Sequence, residues 1–325
     1  MRKLISIISL LLVFPWQCVL GEAEDGGYAG AFLKMAVAAR PAAMGGAYYG
    51  LSDDLPGQLF NPAGLTAITD KTFSSSYRVM QLDRSLGFLS IAFPARLQST
   101  LALGWLYAGY GEVTARNRSG RELGRTISSN EHVFAATFAK QFLPFLGGGV
   151  KLNYYYKKLD IIDANSVGIN LGALLAVDSL FEYGSMEGKA ITDIKIGLVF
   201  NNIAAKYPWT TNEYWEKYGG RGSAQDDEFP FVLAGGVSCR TFRKSLLVAF
   251  DLEKNFEQAV VARFGGEYNI TKQFFLRSGL NEGVLTAGFG LLQRLEWFGF
   301  SFDYAFSAER ADEGSDHIVT LNVTF

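Results

Sequence analysis

Between Asp70 and Phe325 the chain keeps returning to one pattern, apolar residues alternating with small or polar ones. In KSLLVAFDLE, Leu246, Val248, Phe250 and Leu252 fall on one side, and Leu247, Ala249, Asp251 and Glu253 on the other. In EWFGFSFDYAF, Phe298, Phe300, Phe302, Tyr304 and Phe306 oppose Gly299, Ser301, Asp303 and Ala305. STLALGWLY, TDIKIGLVFN and HIVTLNVTF repeat the arrangement. A period of two is the mark of a strand with two unlike faces.

A soluble β-sandwich alternates as well. Here the apolar side carries large aromatics and aliphatics almost without a break, and the other side carries Gly, Ala, Ser, Asn and single charges. The segments run to roughly 10–13 residues, against a mode of about 5–6 in soluble sheets. Such strands suit a wall with lipid on one side and a packed or wet lumen on the other. Aromatics make up 14% of the 325 residues, and Gly outnumbers Pro 36 to 8. Both numbers favour strands and tight turns over disorder or a helical bundle. With Lys+Arg at 30 and Asp+Glu at 32, no basic excess recruits nucleic acid.

The predicted fold is therefore all-β: a transmembrane antiparallel barrel of about 14 strands over residues 70–325. The connections test that count. Tyr110–Ser129 and Ile203–Glu228 fall at one end, with the shorter Glu309–Gly314. Pro94–Gln98, Leu143–Phe145, Thr241–Arg243, Asn269–Lys272 and Gln293–Glu296 fall at the other. Long connections outside and short ones in the periplasm are the rule for bacterial outer-membrane barrels. Ser179–Ala190 breaks the rule, being long on the periplasmic side. An even strand count puts both termini in the periplasm.

Residues 1–21, MRKLISIISLLLVFPWQCVLG, read as a secretory signal peptide. Arg2 and Lys3 precede the short apolar run Leu4–Phe14, and Val19-Leu20-Gly21 offers a cleavage site. No later apolar run is long enough for a spanning helix. Once the signal is removed, Cys239 remains alone and no internal disulfide is available.

Residues 22–69 carry no alternation. A barrel of about 14 strands is too wide for its own side chains to fill, so this stretch is expected to enter from the periplasm and plug the lumen. Ala36–Ala39 and Ala42–Ala47 are small enough to bring backbone close to a wall. Gly45-Gly46 permits a sharp bend. Asp53-Asp54 can cap a short helix or pair with inward-facing cations. Asn61-Pro62-Ala63-Gly64 is a turn signal. An ordinary periplasmic extension is the plainer alternative.

The order Arg40, Met44-Gly45-Gly46-Ala47, Asp53-Asp54, Asn61-Pro62-Ala63-Gly64-Leu65 resembles the hatch segment of PorV/PorQ-like outer-membrane proteins. These belong to the FadL-type hydrophobic-compound transporter superfamily. The resemblance implies an outer-membrane barrel that passes hydrophobic small molecules passively. The alternative it carries is a docking or shuttle component of a type IX-like secretion system, with a secreted protein as partner. It marks Arg40, Met44, Gly45, Gly46, Asp53, Asp54, Asn61, Pro62 and Gly64 as hatch or gate residues. The chain is shorter than classical fatty-acid transporters, which implies reduced outer loops. The last strand, ending on Phe325, resembles the segment that outer-membrane insertion machinery recognises.

Tyr207, Trp209, Tyr214, Trp215 and Tyr218 form an aromatic group in the second long connection. It suits a ligand-capture or partner surface, or a collar at the membrane rim. Arg116, Arg118, Arg121 and Arg125 decorate the first, as lipopolysaccharide or partner contacts or as a solvated loop. Trp105, Tyr107 and Trp297 read as girdle residues against outer-membrane lipid. Lys151, Lys195, Asp251, Glu253, Arg263, Glu267, Arg277 and Asp303 are read as inward lumen charges. Both signs occur, which favours salt bridges and hatch contacts over an ion pathway. His132 and His317 lie near strand ends with no nucleophile or paired acids beside them, so no enzyme, metal site or cofactor is expected.

Overall fold

The computed structural model describes residues 28–117, 119–180, 190–308 and 314–325. The signal-peptide reading, Arg118 and most of the Ser179–Ala190 and Glu309–Gly314 connections lie outside the described residues.

Sixteen strands follow one another: β1 (Thr72–Val79), β2 (Ser85–Ala95), β3 (Ser99–Arg116), β4 (Glu122–Leu143), β5 (Leu146–Leu159), β6 (Ile162–Ala176), β7 (Ile191–Ile203), β8 (Lys206–Thr210), β9 (Ala224–Glu228), β10 (Val232–Thr241), β11 (Leu246–Asn255), β12 (Val260–Asn269), β13 (Phe274–Asn281), β14 (Val284–Arg294), β15 (Gly299–Ala308) and β16 (Ser315–Thr324). All except β8 and β9 join into one closed antiparallel barrel of fourteen strands. β1 closes on β16, with Thr72 opposite Thr324 and Val79 opposite His317. Closure leaves no edge of unpaired backbone groups, which a bilayer demands of any sheet that crosses it.

The alternation read from sequence is the alternation of the wall. On β11, Phe250 and Leu252 face out while Asp251 and Glu253 are buried inside. On β3, Leu101, Leu103 and Trp105 face out and Ala102 faces in. An outer surface of Phe, Leu and Val with no protein covering it requires an apolar solvent, and lipid supplies one. Among the described residues no helix is long and apolar enough to cross a membrane. An arginine at Phe250, halfway along β11, is therefore expected to cost about 2–4 kcal/mol. Urea unfolding in lipid vesicles measures this, and an unchanged midpoint would remove Phe250 from the lipid face.

Two connections differ from expectation. Tyr110–Ser129 is not a loop: β3 and β4 stay paired well past Tyr110, with Val113 opposite Ile127 and Arg116 opposite Glu122. The β-prone Val113-Thr114 and Thr126-Ile127 carry the ladder outward. The turn shrinks to the Asn117–Arg121 region, where Asn117 Oδ1 accepts from the backbone N–H of Ser119 and of Arg121. Ile203–Glu228 contains the β8–β9 hairpin and the helix Asn212–Tyr218 between its strands.

Asn202 and Ala204 take positive φ of 60° and 61° and turn the chain inward where β7 ends. Ala205, Tyr207 and Phe229 then join an apolar cluster inside the barrel. Ladder pairing of β6 with β7 reaches outward only to Ile169. Beyond it β8 lies against β6, Lys206 N donating to Ser166 Oγ at 2.9 Å.

Candidate functional site

The N-terminal segment, residues 29–68, packs against the inner wall and descends through the lumen. Ala29 N donates to Glu228 O at 3.3 Å, so the segment begins beside the β8–β9 hairpin, at the end away from its junction with β1. The sequence reading, with entry from the β1 end, has this part of the path reversed. Next comes the short helix Ala39–Ala43, whose Ala39, Pro41, Ala42 and Ala43 are all buried. It rests on β13 to β16, and Ala39 N donates to Thr320 Oγ1 at 2.8 Å. Gly45 and Gly46, with φ of 63° and 75°, bend the chain around the wall. Two 3₁₀ turns follow. Asp54 caps the first, Oδ1 accepting from Gly57 N at 2.9 Å. Asn61 caps the second through Ala63 N at 3.0 Å, and its Nδ2 donates to the carbonyls of Tyr49 and Ala173. Pro62 stands at the start of that turn, where it has no N–H to lose. A Cβ on Gly64 would lie 1.9 Å from Ser52 O, so this close approach admits only glycine.

The wall is cut to receive the segment. A Cβ on Gly197 would sit 2.0 Å from Tyr49 O, on Gly279 2.2 Å from Gly45 N, and on Gly265 2.4 Å from Met44 O. Gly149, Gly172 and Gly236 meet Pro62, Asn61 and Gly50 in the same way. These glycines lie on six strands and all face inward. The sequence showed them only as small residues on the lumen side.

Arg40 is the electrostatic centre. Its Nη1 donates to Asp53 at 2.6 Å and Asp54 at 3.2 Å, and its Nε donates to Glu267 at 2.8 Å. Of the two expectations for Asp53-Asp54, helix capping is what Asp54 does, and the other had the barrel supplying a cation. Instead the cation belongs to the segment and the barrel supplies an anion. Burial opposes ionisation of Asp53, yet Arg40, helped by Lys195, holds its carboxyl below the ordinary aspartate value. Burial pushes Asp54 upward against the pull of Arg40, and neighbouring Asp53 adds to the rise. Glu267 also binds Arg277 at 2.8 Å, and Arg277 binds Asp303 at 2.6 Å. Asp251 accepts from the backbone N–H of Tyr48 and Tyr49. The Tyr49 hydroxyl donates to Glu253 at 2.6 Å, and Glu253 pairs with Arg263 at 2.6 Å. Lys195 lines a cavity of about 170 Å³ with Asp53. Lys151 belongs to none of these groups.

A second cavity, of about 160 Å³, lies between residues 28–37, Gln58–Phe60 and the inner wall. Leu33, Met35, Val37, Phe88, Leu106 and Val133 give it apolar sides, while Lys151, Asn153, Asn170 and Asn201 bring polar groups. Tyr155 on its lining packs on Phe229, and Phe229 on Tyr207 of the β8–β9 hairpin, with ring centroids 4.5 and 4.8 Å apart. The Tyr207 hydroxyl bonds Glu131 at 3.2 Å, and Glu131 pairs with Lys157 at 3.0 Å.

The predicted aromatic group is thus split. Tyr207 is fully buried and Trp209 packs against the same cluster. Tyr214 and Trp215 meet edge to face at 5.3 Å on the separate helix. The side chain of Tyr218 lies outside the described residues. Arg116 pairs with Glu122 and Arg125 with Asp160. Trp105 Nε1 donates to His132 Nδ1 at 3.2 Å on the exposed surface. His317 is exposed beside Tyr304, while its neighbour Asp316 is buried on Arg78. The two point to opposite sides of the wall.

Solved structures with this architecture exist. The Pseudomonas putida toluene transporter TodX matches with a TM-score of 0.58 at 13% identity, over 87% of this chain and 95% of TodX. A TodX deltaS2S3 mutant, a monoaromatic hydrocarbon channel, matches with a TM-score of 0.59 at 14% identity, over 88% of this chain and 97% of the mutant. The chain shares their fold. A Pseudomonas aeruginosa FadL homologue agrees, with a TM-score of 0.57 at 10% identity, over 92% and 99% of the two chains. No protein-family model matches the sequence, and neither does any curated protein. The architecture and the lipid-facing belt together make this an outer-membrane barrel.

Proposed function

We propose that the chain is a passive outer-membrane channel for hydrophobic small molecules, with residues 29–68 as its hatch. The observation that carries this reading is the cavity between hatch and wall. It is mainly apolar, it lies between residues 28–37 and the inner wall, and at about 160 Å³ it compares with cavities of about 150 Å³ that take up benzene. The fold shared with a toluene transporter and a FadL homologue supports it. So does the Arg40…Gly64 motif, on which the narrower PorV/PorQ kinship rests.

In this reading a hydrophobe enters beside Tyr207 and Trp209, dwells in the cavity, and leaves when the hatch shifts or the wall parts. The outer half of β6, which lacks β7 as a ladder partner, is the place for the wall to part. No energy source is needed, since the flow follows the gradient.

The test is uptake of a radiolabelled monoaromatic hydrocarbon by cells carrying the protein in an intact outer membrane. Replacing Ala204–Asp227 by a short Gly-Ser turn is expected to bring the saturable component down to the level of cells without the protein. The projecting β3–β4 hairpin and the helix Asn212–Tyr218 favour a second reading, docking within a type IX-like secretion system. Under that reading the same replacement leaves hydrocarbon uptake unchanged and blocks surface delivery of secreted proteins.

A further inference from the structure

Lys151 on β5 is only 6% exposed, and among the described residues it has no hydrogen bond and no ion pair. The contrast with the other buried lumen cations is sharp. Arg40, Arg78, Arg263 and Arg277 each hold at least one carboxylate. Lys151 instead lines the cavity between hatch and wall. Two more unmet groups line it: the side-chain oxygens of Asn153 and Asn201 are buried and accept from nothing among the described residues. A buried ammonium without a counter-charge is expensive, and a buried polar atom without a partner is rarely tolerated. Three such groups around one cavity describe a site built for something that fills it.

Resting on the channel reading above, we propose that this cavity selects a compact monoanion with an apolar body, an aryl carboxylate of single-ring size. Its carboxylate accepts from the Lys151 ammonium. Its ring lies against Phe88, Leu106 and Val133, and a ring hydroxyl donates to the Asn153 or Asn201 oxygen. The other occupants fit less well. A cation meets Lys151 head on. A pure hydrocarbon leaves the ammonium bare. A phosphate brings more negative charge than one ammonium matches, and Glu253, which also lines the cavity, is already neutralised by Arg263. A long acyl chain exceeds a volume of about 160 Å³.

The experiment is calorimetric titration of the detergent-solubilised protein with benzoate and, separately, with toluene, at a pH where benzoate is ionised. Wild type is compared with Lys151→Met, which keeps the stem and removes the charge. Heat-modifiable gel migration checks that both barrels are folded. Benzoate affinity is expected to fall at least tenfold in the variant while toluene affinity holds or rises, since the bare ammonium is gone. Equal benzoate affinity in the two proteins overturns the proposal, as does an equal loss for both ligands. Benzoate binding that depends on Lys151 but comes with no uptake of either ligand by cells keeps the anion site and sinks the channel reading. Hydrocarbon uptake without Lys151-dependent benzoate binding does the reverse.

Discussion

Replacing Arg40 with methionine is expected to unseat residues 29–68 and raise conductance through the lumen. The reason lies in how few partners the three carboxylates around Arg40 have left without it. Among the described residues Asp53 makes no other ion pair. Asp54 keeps the Tyr48 hydroxyl at 2.6 Å and Gly57 N, and Glu267 keeps Arg277. Arg40 is 15% exposed and Glu267 3%, so water replaces little of what is lost. Breaking a buried pair by removing one partner typically costs about 3–5 kcal/mol, here charged against the docking of the segment. Arg40→Lys should fall short of rescue, because a point charge cannot replace a fork that serves two sides at once. Removing one stranded charge as well, in Arg40→Met with Asp53→Asn, should restore part of the closure. Planar-bilayer conductance and limited proteolysis of the segment read the result. A silent Arg40→Met channel with a protected segment would mean that the hub is not what holds the segment in place.

The wall was readable in the sequence because the bilayer imposes one solvent on every outward residue. That constraint forces period two through STLALGWLY, KSLLVAFDLE and EWFGFSFDYAF alike, and fourteen closed strands follow from it. Beyond the bilayer the constraint ends, and there the reading failed. β3 and β4 continue as a hairpin where a loop was expected, since strand pairing outside lipid needs no apolar face. The Arg40…Gly64 motif was visible as composition but not as contacts. Nothing local tells that Arg40 reaches Glu267, 227 positions away, before it serves its near neighbours Asp53 and Asp54. The path of the segment was hidden for the same reason, because Ala29 reaches Glu228 through backbone atoms that carry no residue-specific signal. Lys151 was counted among the lumen charges, but its isolation appears only once the lumen carboxylates have been assigned to other cations or, for Asp251, to the backbone of Tyr48 and Tyr49.

The inward glycines did leave a sequence trace, and one adjacent pair turns it into a test with opposite outcomes on the two faces of one strand. Gly265 and Gly266 are neighbours on β12. A Cβ on Gly265 would come within 2.4 Å of Met44 O and 2.8 Å of Met44 Cβ, while on Gly266 the nearest atom is Leu247 O at 3.8 Å. Neither glycine has a positive φ, so valine fits the strand backbone at both. Gly266→Val should leave the lumen closed, and relief of glycine's entropic cost should stabilise the barrel by about 0.5–1 kcal/mol. Gly265→Val meets backbone that cannot swing aside as a side chain would, so the Met44–Ala47 stretch must leave its seat. With Cys239→Ser as background and a cysteine at Ala47, which is fully buried, a membrane-impermeant thiol reagent reports the difference. Ala47→Cys should be unreactive beside Gly266→Val and should label readily beside Gly265→Val. Equal labelling in both would show that the close fit of glycine to the Met44–Ala47 stretch does not control access to the lumen. Labelling confined to Gly265→Val would show that the missing side chains on the inner wall are what seat residues 29–68 against it.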